Sequence, residues 1–159
     1  MNRYKIMLVD DEPDILDLLE KALNIEGYHN ITKIDNGITA VITCKEIQPD
    51  IIILDVILPD IDGYEVCKKI REFSHCPILF LSSKNDELDK IPGLAVGGDD
   101  YVTKPFSPKE IAYRVKAQLR RAEYRQVPVQ DFSIKIDELM IDTGGCRVMK
   151  NNKEIGLTA

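Results

Sequence analysis

The chain has 159 residues, of which 44% are hydrophobic and 30% charged, as in a globular protein of about one domain. No apolar run approaches the roughly 18 residues of a membrane span, and the N-terminus lacks signal-peptide features. The net charge is −6, with 16 Lys and Arg against 21 Asp and Glu in residues 1–121, so no basic stripe favours nonspecific DNA binding. We therefore expect a cytoplasmic protein with no membrane contact that, as it stands, binds nucleic acid poorly.

Up to about residue 121, predicted strands alternate with predicted helices. The strands are predicted at 6–9, 31–34, 51–54, 77–81 and 100–103, and the helices at 15–23, 38–47, 66–73, 86–96 and from 107 onward. The run Ile51-Ile52-Ile53-Leu54 is the strongest strand signal, because it is mostly β-branched and uncharged. Five such units predict an α/β fold with a doubly wound, five-stranded parallel sheet and helices on both faces.

The pattern changes after residue 121. Residues 122–130 are polar and end in Val-Pro-Val-Gln, which indicates a linker. Residues 131–159 hold short strand-like pieces separated by Gly144-Gly145 and Asn151-Asn152, both typical of hairpin turns. These residues are therefore predicted to form a short antiparallel meander. A sheet of this size without a covering helix would be marginally stable alone.

The four cysteines are scattered along the chain, at positions 44, 67, 76 and 146. They form no C-x-x-C pair and lie near no histidine cluster, which disfavours a zinc site or a disulfide framework. The interpretation favoured by the sequence is buried or idle thiols in a reducing compartment.

Charged and hydroxyl side chains follow several of the predicted strands. Asp10-Asp11-Glu12 follows the first strand, Asp55 the third, Ser82 the fourth, and Lys104 the fifth. In open α/β sheets, ligands bind beyond the carboxyl ends of the strands. Each residue alone could be an ordinary loop or capping residue, but all of them fall at the same end of the sheet. A cluster of oxygen ligands without His or Cys points to Mg²⁺ or a similar hard ion.

The motifs that hold these residues are specific. They are Val9-Asp10-Asp11-Glu12, Leu54-Asp55, Leu58-Pro59, Asp62-Gly63, Leu81-Ser82 and the run from Gly98 to Phe106. Together they resemble the receiver domain of two-component response regulators over residues 1–121, which implies a flavodoxin-like or CheY-like fold. Residues 131–159 resemble the N-terminal sheet of the winged-helix DNA-binding domain of the OmpR/PhoB subfamily, without its recognition helix.

The resemblance implies a role for each residue at the strand ends. Asp55 would accept a phosphoryl group from a sensor histidine kinase. Mg²⁺ would be held by Asp11, Asp55 and the carbonyl of Ile57, with Asp10 and Glu12 acting largely through water. Lys104 would stabilise the phosphoryl charge, and the Lys104–Pro105 peptide would be cis. Ser82 and Tyr101 would form the switch that responds to phosphorylation.

The resemblance also implies a phosphorylation-driven homodimer. It would form through the face built by the predicted helix near 86–96, the fifth strand and the last helix, using Lys90, Asp99, Asp100, Glu110, Arg114 and Arg121. Pairs such as Lys90–Glu110 and Asp100–Arg114 would repeat across the twofold axis. The dimer would control DNA binding and transcription in the full-length protein.

Two other functions compete with this one. A phosphatase with an aspartate nucleophile typically needs an acid two residues later, where this chain has Ile57, so an enzyme is not expected beyond self-catalysed phosphoryl transfer and slow autodephosphorylation. A receiver-like binding module that works without phosphorylation is the alternative. The complete set of Asp10, Asp11, Asp55, Ser82 and Lys104 argues against it.

Overall fold

A computed structural model describes residues 3–83 and 97–126, and four short strands between residues 133 and 154. The predicted helix near 86–96, and Lys90 with it, lies outside the described residues. The chain divides into two compact units, Met1–Ala122 and Glu123–Ala159.

The first unit holds a five-stranded parallel sheet, as predicted. Its strands are β1 (Lys5–Val9), β2 (Asn30–Ile34), β3 (Ile51–Asp55), β4 (Ile78–Ser83) and β5 (Asp100–Lys104), in the order β2-β1-β3-β4-β5. The described helices are α1 (Pro13–Ile25), α2 (Gly37–Ile47), α3 (Gly63–Arg71) and α4 (Pro108–Gln126). The strand order reverses direction between β1 and β3, which is where this class of sheet binds its ligands.

Hydrophobic residues of the central strands pack on both faces of the sheet. Ile6 and Leu8 of β1 join the cluster under α1 and α4, whereas Met7 and Val9 join the cluster under α2 and α3. All five residues of β3 are buried. Burial on both faces explains why these strands are continuous apolar runs rather than alternating ones.

The start of α3 is fixed by two residues next to the end of β3. The side chain of Asp62 caps the helix by accepting a hydrogen bond from the Glu65 amide at 2.8 Å. A side chain at Gly63 would overlap the Asp55 carbonyl oxygen, so only glycine lets the helix approach the strand this closely. The loop after Asp55 is therefore held short and close to the sheet edge.

The last helix is longer than the sequence predicted. It continues through Gln126, five residues into the region predicted to be the linker 122–130. Ala122, Glu123, Arg125 and Gln126 are strong helix formers, and the first residue that cannot continue a helix is Pro128. None of the described helices has the length and apolar character needed to cross a membrane.

Beyond Gln126, where the last helix ends, the structure describes a four-stranded antiparallel sheet in the second unit. Its strands are β6 (Ser133–Ile136), β7 (Leu139–Asp142), β8 (Arg147–Lys150) and β9 (Lys153–Glu154), paired in chain order. The predicted turns at Gly144-Gly145 and Asn151-Asn152 lie outside the described residues.

Candidate functional site

Three aspartates meet at the carboxyl edge of the parallel sheet. Asp10 follows β1 and Asp55 ends β3, and both are buried, with exposed fractions of 1% and 4%. Asp11 is exposed next to them. One carboxylate oxygen from each of the three lies within 4.8 Å of the others. The sequence placed all three at this edge, and the structure brings them together.

The backbone orients the two buried carboxylates. Asp10 Oδ1 accepts a hydrogen bond from the Glu12 amide, and Asp55 Oδ1 accepts one from the Ile57 amide, each at 2.9 Å. Both are local turns in which an aspartate binds the amide two residues further on. In each carboxylate the second oxygen, Oδ2, is left to contact other groups.

Lys104 contacts these second oxygens. Its Nζ lies 2.6 Å from Asp55 Oδ2 and 3.1 Å from Asp10 Oδ2, with Glu12 Oε1 at 3.7 Å. Burial alone would lower the pKa of Lys104, but its hydrogen bonds and charge interactions with Asp55 and Asp10 outweigh burial and raise it. Lys104 is thus held as a cation. The Lys104–Pro105 peptide that follows is cis, as predicted.

The acidic pocket, formed by Asp10, Asp11, Glu12, Asp55 and Lys104, has four acids and one base. Burial raises the pKa of Asp10 to about 6, helped by the charge of Asp55 and opposed by the Glu12 amide and Lys104. One ammonium group therefore leaves the carboxylates only partly compensated. An all-oxygen ligand set with surplus negative charge fits a hard divalent cation such as Mg²⁺.

The predicted switch residues lie on the neighbouring strands. Ser82 is buried in β4, one residue beyond Leu81, which pairs with Asp55 across the sheet. Its Oγ donates to the carbonyl of Ser83 at 3.1 Å. Tyr101 in β5 is half-buried, and its hydroxyl lies 3.3 Å from that of Tyr64. Its ring packs near Phe80, with centroids 6.2 Å apart.

One anchoring residue was missed in the sequence. Asp60, in the loop between β3 and α3, accepts hydrogen bonds from the amides of Gly37 and Ile38 at 2.8 and 2.7 Å. Loss of hydration opposes ionisation, but these and other backbone amides prevail and lower the pKa of Asp60, which is exposed. The loop after Asp55 is thereby tied to the start of α2. The only sequence signal for this role was that Asp60 is an acid just before Asp62-Gly63. The two amides that it binds lie 22 and 23 residues away in the chain, so the sequence alone could not identify them.

Four of the predicted dimer residues, Asp99, Asp100, Glu110 and Arg114, form ion pairs within the chain. Arg114 binds Asp100 at 3.0 Å and Glu110 at 2.9 Å, so the predicted Asp100–Arg114 pair closes inside one chain. The carboxylate of Asp99 accepts hydrogen bonds from Arg71 and from the Ile78 amide, both at 3.0 Å. Asp99 is therefore engaged at the amino ends of β4 and β5 rather than with the other interface candidates. Arg121 is exposed on α4.

Comparisons with known proteins agree with this architecture. The family profile of the response regulator receiver domain matches residues 6–116. The "Probable transcriptional regulator ycf27" of Porphyra purpurea is 44% identical over 160 residues, which cover 98% of this chain and 65% of that protein. The chain thus spans slightly less than two thirds of that relative's length.

Two solved structures are also similar. The response regulator DrrB, an OmpR/PhoB homolog of Thermotoga maritima, is 31% identical with a TM-score of 0.67, over 98% of this chain and 67% of its own. A two-component response regulator from Clostridium difficile is 34% identical with a TM-score of 0.71, over 75% of this chain and 98% of its own.

Proposed function

The chain belongs to the OmpR/PhoB-type response regulators of two-component systems, and we propose that Asp55 is the carboxylate that accepts the phosphoryl group. One observation carries the proposal. Asp55 Oδ2 lies 2.6 Å from Lys104 Nζ at the carboxyl edge of the sheet, while Oδ1 is held by the Ile57 amide. The carboxylate is thus buried and oriented, and it is paired with Lys104. After transfer, the same ammonium group can pair with a phosphoryl oxygen.

The donor would be a phosphohistidine of a sensor histidine kinase. An Asp55 oxygen attacks the phosphorus, the phosphorus–nitrogen bond breaks, and the electron pair leaves with the imidazole, which ends neutral after taking up a proton. The product is an acyl phosphate on Asp55. Lys104 stabilises the negative charge spread over the phosphoryl oxygens, as positioned cations do in phosphoryl transfer generally.

The remaining acids would hold Mg²⁺. Asp11, Asp55 and the carbonyl of Ile57 would ligate it, with Asp10 and Glu12 acting largely through water. The ion would supply charge neutralisation for the incoming phosphoryl oxygens. The support for this assignment is the convergence of Asp10, Asp11 and Asp55 and the surplus of negative charge in the acidic pocket.

Ser82 and Tyr101 would report the modification. The Ser82 hydroxyl donates to a neighbouring carbonyl, and a phosphoryl oxygen with its strong negative charge is a better acceptor. When Ser82 turns towards the phosphoryl group, Tyr101 would turn inward from its contact with Tyr64. The proposed result is a homodimer through Asp100, Glu110, Arg114 and Arg121, together with Lys90.

The proposed output is control of DNA binding and transcription in the cytoplasm. The Porphyra purpurea relative bears the name "Probable transcriptional regulator ycf27", which supports this output. We do not propose an enzyme that turns over a separate substrate. The residue two positions after Asp55 is Ile57, an exposed apolar side chain that can neither donate nor accept a proton.

The test is phosphorylation by acetyl phosphate in the presence of Mg²⁺. We expect an adduct on the wild-type protein that resists acid, is lost in base, and is absent from Asp55→Asn and from samples with a chelator. Asp62→Asn is a matched control that changes a nearby helix-capping acid and should retain the adduct. An adduct that survives in Asp55→Asn would refute the assignment. Failure to form any adduct would favour the phosphorylation-independent binding module.

Dimer formation has a separate test. We expect light scattering to show a monomer-to-dimer shift when beryllofluoride and Mg²⁺ are added, since beryllofluoride mimics the phosphoryl group on an aspartate. An unchanged monomer mass at high protein concentration would contradict the dimer but leave the phosphoacceptor assignment intact.

A further inference from the structure

The β3–α3 loop, residues 56–62, carries one of the proposed metal ligands, the carbonyl of Ile57. At the start of the loop the Ile57 amide donates to Asp55 Oδ1 at 2.9 Å, and at its end the Gly63 amide donates to the Val56 carbonyl at 2.7 Å. A backbone carbonyl has no side-chain rotamer with which to adjust its position. The conformation of the β3–α3 loop therefore decides where this ligand lies.

Asp60 joins this loop to the first turn of α2 through two hydrogen bonds, which we call the Asp60 bridge. Oδ1 accepts from the Gly37 amide at 2.8 Å, and Oδ2 accepts from the Ile38 amide at 2.7 Å. These amides are the first two of α2 and have no acceptor within the helix. Because each oxygen binds its own amide, the bridge fixes the orientation of the carboxylate as well as its distance from the helix.

The surroundings leave the Ile57 backbone dependent on this bridge. Leu58 and Ile61, on either side of Asp60, pack on the apolar cluster under α2 and α3, whereas the Ile57 side chain is 64% exposed. The side chain of Ile57 thus does little to fix its own backbone. A side chain at Gly37 would come within 2.6 Å of Ile61 Cγ1, so the loop and the helix are already in close contact beside the bridge.

We propose that Asp60 is a positioning residue for the metal site, an inference that rests on the proposed function of Asp55. Asp60 is not itself among the proposed ligands. It holds the β3–α3 loop against α2, so that the Ile57 carbonyl keeps one position relative to the Asp55 carboxylate and the loop need not be ordered when Mg²⁺ binds. Groups that orient metal ligands typically change metal affinity by roughly 10- to 100-fold.

Asp60 also satisfies the amides of a helix end, and a second cap of the same helix separates the two roles. Asn36 Oδ1 accepts from the Thr39 amide at 2.9 Å, and Asn36 lies outside the β3–α3 loop. Asn36→Ala removes a capping hydrogen bond from α2 and should lower the stability of the protein. If Asp60 acts on the loop, Asn36→Ala should leave the affinity for Mg²⁺ unchanged.

The experiment titrates Mg²⁺ into the whole, isotope-labelled chain and follows the amide signals by NMR, with urea unfolding of the same metal-free samples. We expect Asp60→Ala to raise the Kd for Mg²⁺ by about 10-fold. Asp60→Asn keeps one accepting oxygen but turns an NH₂ group towards the other amide, so its Kd should rise less. Asn36→Ala should unfold at lower urea than the wild type and bind Mg²⁺ with the wild-type Kd.

Hydrogen exchange of the Gly37 and Ile38 amides gives a second measurement in the unchanged protein. Exchange at these amides requires the Asp60 bridge to open. Because coupling between two sites is reciprocal, saturating Mg²⁺ should slow this exchange by up to about 10-fold, the factor by which the bridge strengthens metal binding.

The proposal is overturned if folded Asp60→Ala binds Mg²⁺ as tightly as the wild type, or if Asn36→Ala weakens binding equally. Should Asp60→Ala not fold, the Kd of Asp60→Asn and the exchange in the wild type decide, and two unchanged values overturn the proposal. A wild-type chain that does not bind Mg²⁺ overturns the metal assignment and this inference together. The adduct on Asp55 tests the phosphoacceptor separately, so an adduct with an unchanged Kd in Asp60→Ala refutes only the role of Asp60.

Discussion

The two edges of the parallel sheet hold their charges in opposite ways. At the carboxyl edge, four acids share one lysine, and burial raises the pKa of Asp10. At the amino edge of β4 and β5, Arg71 donates to the carbonyls of Ser74, Cys76 and Gly97 and to Asp99, over distances of 2.7 to 3.2 Å. The acidic pocket carries uncompensated charge, whereas in this Arg71 cluster the guanidinium and its acceptors are matched.

This difference separates a site that binds from a site that holds the fold. Buried charge of one sign costs stability until a ligand of the opposite sign arrives. A guanidinium whose donors meet fixed acceptors stabilises the loops that it joins. Changes at the two edges should therefore shift the free energy of unfolding in opposite directions.

The largest expected effect is at the Arg71 cluster. Arg71→Ala removes the guanidinium that donates to three carbonyls and to the Asp99 carboxylate, and should lower the free energy of unfolding by about 3 kcal/mol. Arg71→Lys keeps the charge but not the forked geometry, so it should lose about half as much. Urea unfolding measures both. A loss below about 1 kcal/mol for Arg71→Ala would show that the cluster is not structural.

A change of opposite sign is expected in the acidic pocket. Asp10→Asn keeps an oxygen that can accept from the Glu12 amide but removes a buried charge. It should raise the free energy of unfolding of the metal-free protein by about 1–3 kcal/mol, the scale of the raised Asp10 pKa. Asp50→Asn is the matched control, because Asp50 accepts from the Lys5 amide at the amino edge. The free energy of unfolding of Asp50→Asn should not rise above that of the wild type. If Asp10→Asn is less stable than the wild type, the proposed difference between the two edges of the sheet is wrong.

The pH dependence of the free energy of unfolding gives a finer test of the buried Asp10 charge. The pKa of Asp10 is about 6 in the folded protein, against 3.8 for an aspartate that is fully exposed to water, as in the unfolded chain. Between these values the folded state binds more protons, so the free energy of unfolding falls as pH rises, and above about pH 6 the loss is complete. The difference between wild type and Asp10→Asn, measured by urea unfolding with a chelator from pH 4 to 7, isolates this residue. A difference that does not change with pH would contradict the assignment.

The sequence predicted the carboxyl edge well because its residues follow strand ends. A run such as Ile51–Leu54 is unambiguous, and parallel pairing brings every strand end to one edge, so Asp10, Asp55 and Lys104 could be placed together without coordinates. Local rules sufficed for these residues. The same rules placed Ser82 at this edge, whereas Tyr101 was identified through the resemblance to receiver domains.

The amino edge could not be predicted in this way. Arg71 meets Gly97 and Asp99 across 26 and 28 residues of chain. Such contacts depend on how the loops pack against the folded sheet. The periodicity of hydrophobic residues, which predicts helices and strands, does not reveal them. Asp99 shows the consequence: the resemblance to OmpR/PhoB regulators implied an interface role for it, and its carboxylate binds Arg71 within the chain.

The smallest expected effect on stability is at the exposed ion pairs of α4. Arg114 binds Asp100 and Glu110 with distances similar to those in the Arg71 cluster, but its side chain is 39% exposed against 18% for Arg71. Water and salt screen such a pair, so Arg114→Ala should change the free energy of unfolding by less than about 1 kcal/mol.

Arg114→Ala should nevertheless abolish the beryllofluoride-dependent dimer. The proposed interface uses the Arg114 charge, whereas the folded monomer gains little stability from it. Arg120→Ala removes an exposed arginine from the same helix outside the proposed interface, and it should dimerise like the wild type in light scattering. If Arg114→Ala also dimerises normally, the α4 surface is not the interface. If it instead destabilises the monomer as much as Arg71→Ala does, Arg114 serves the fold, and exposure is a poor guide to which ion pairs are structural in this protein.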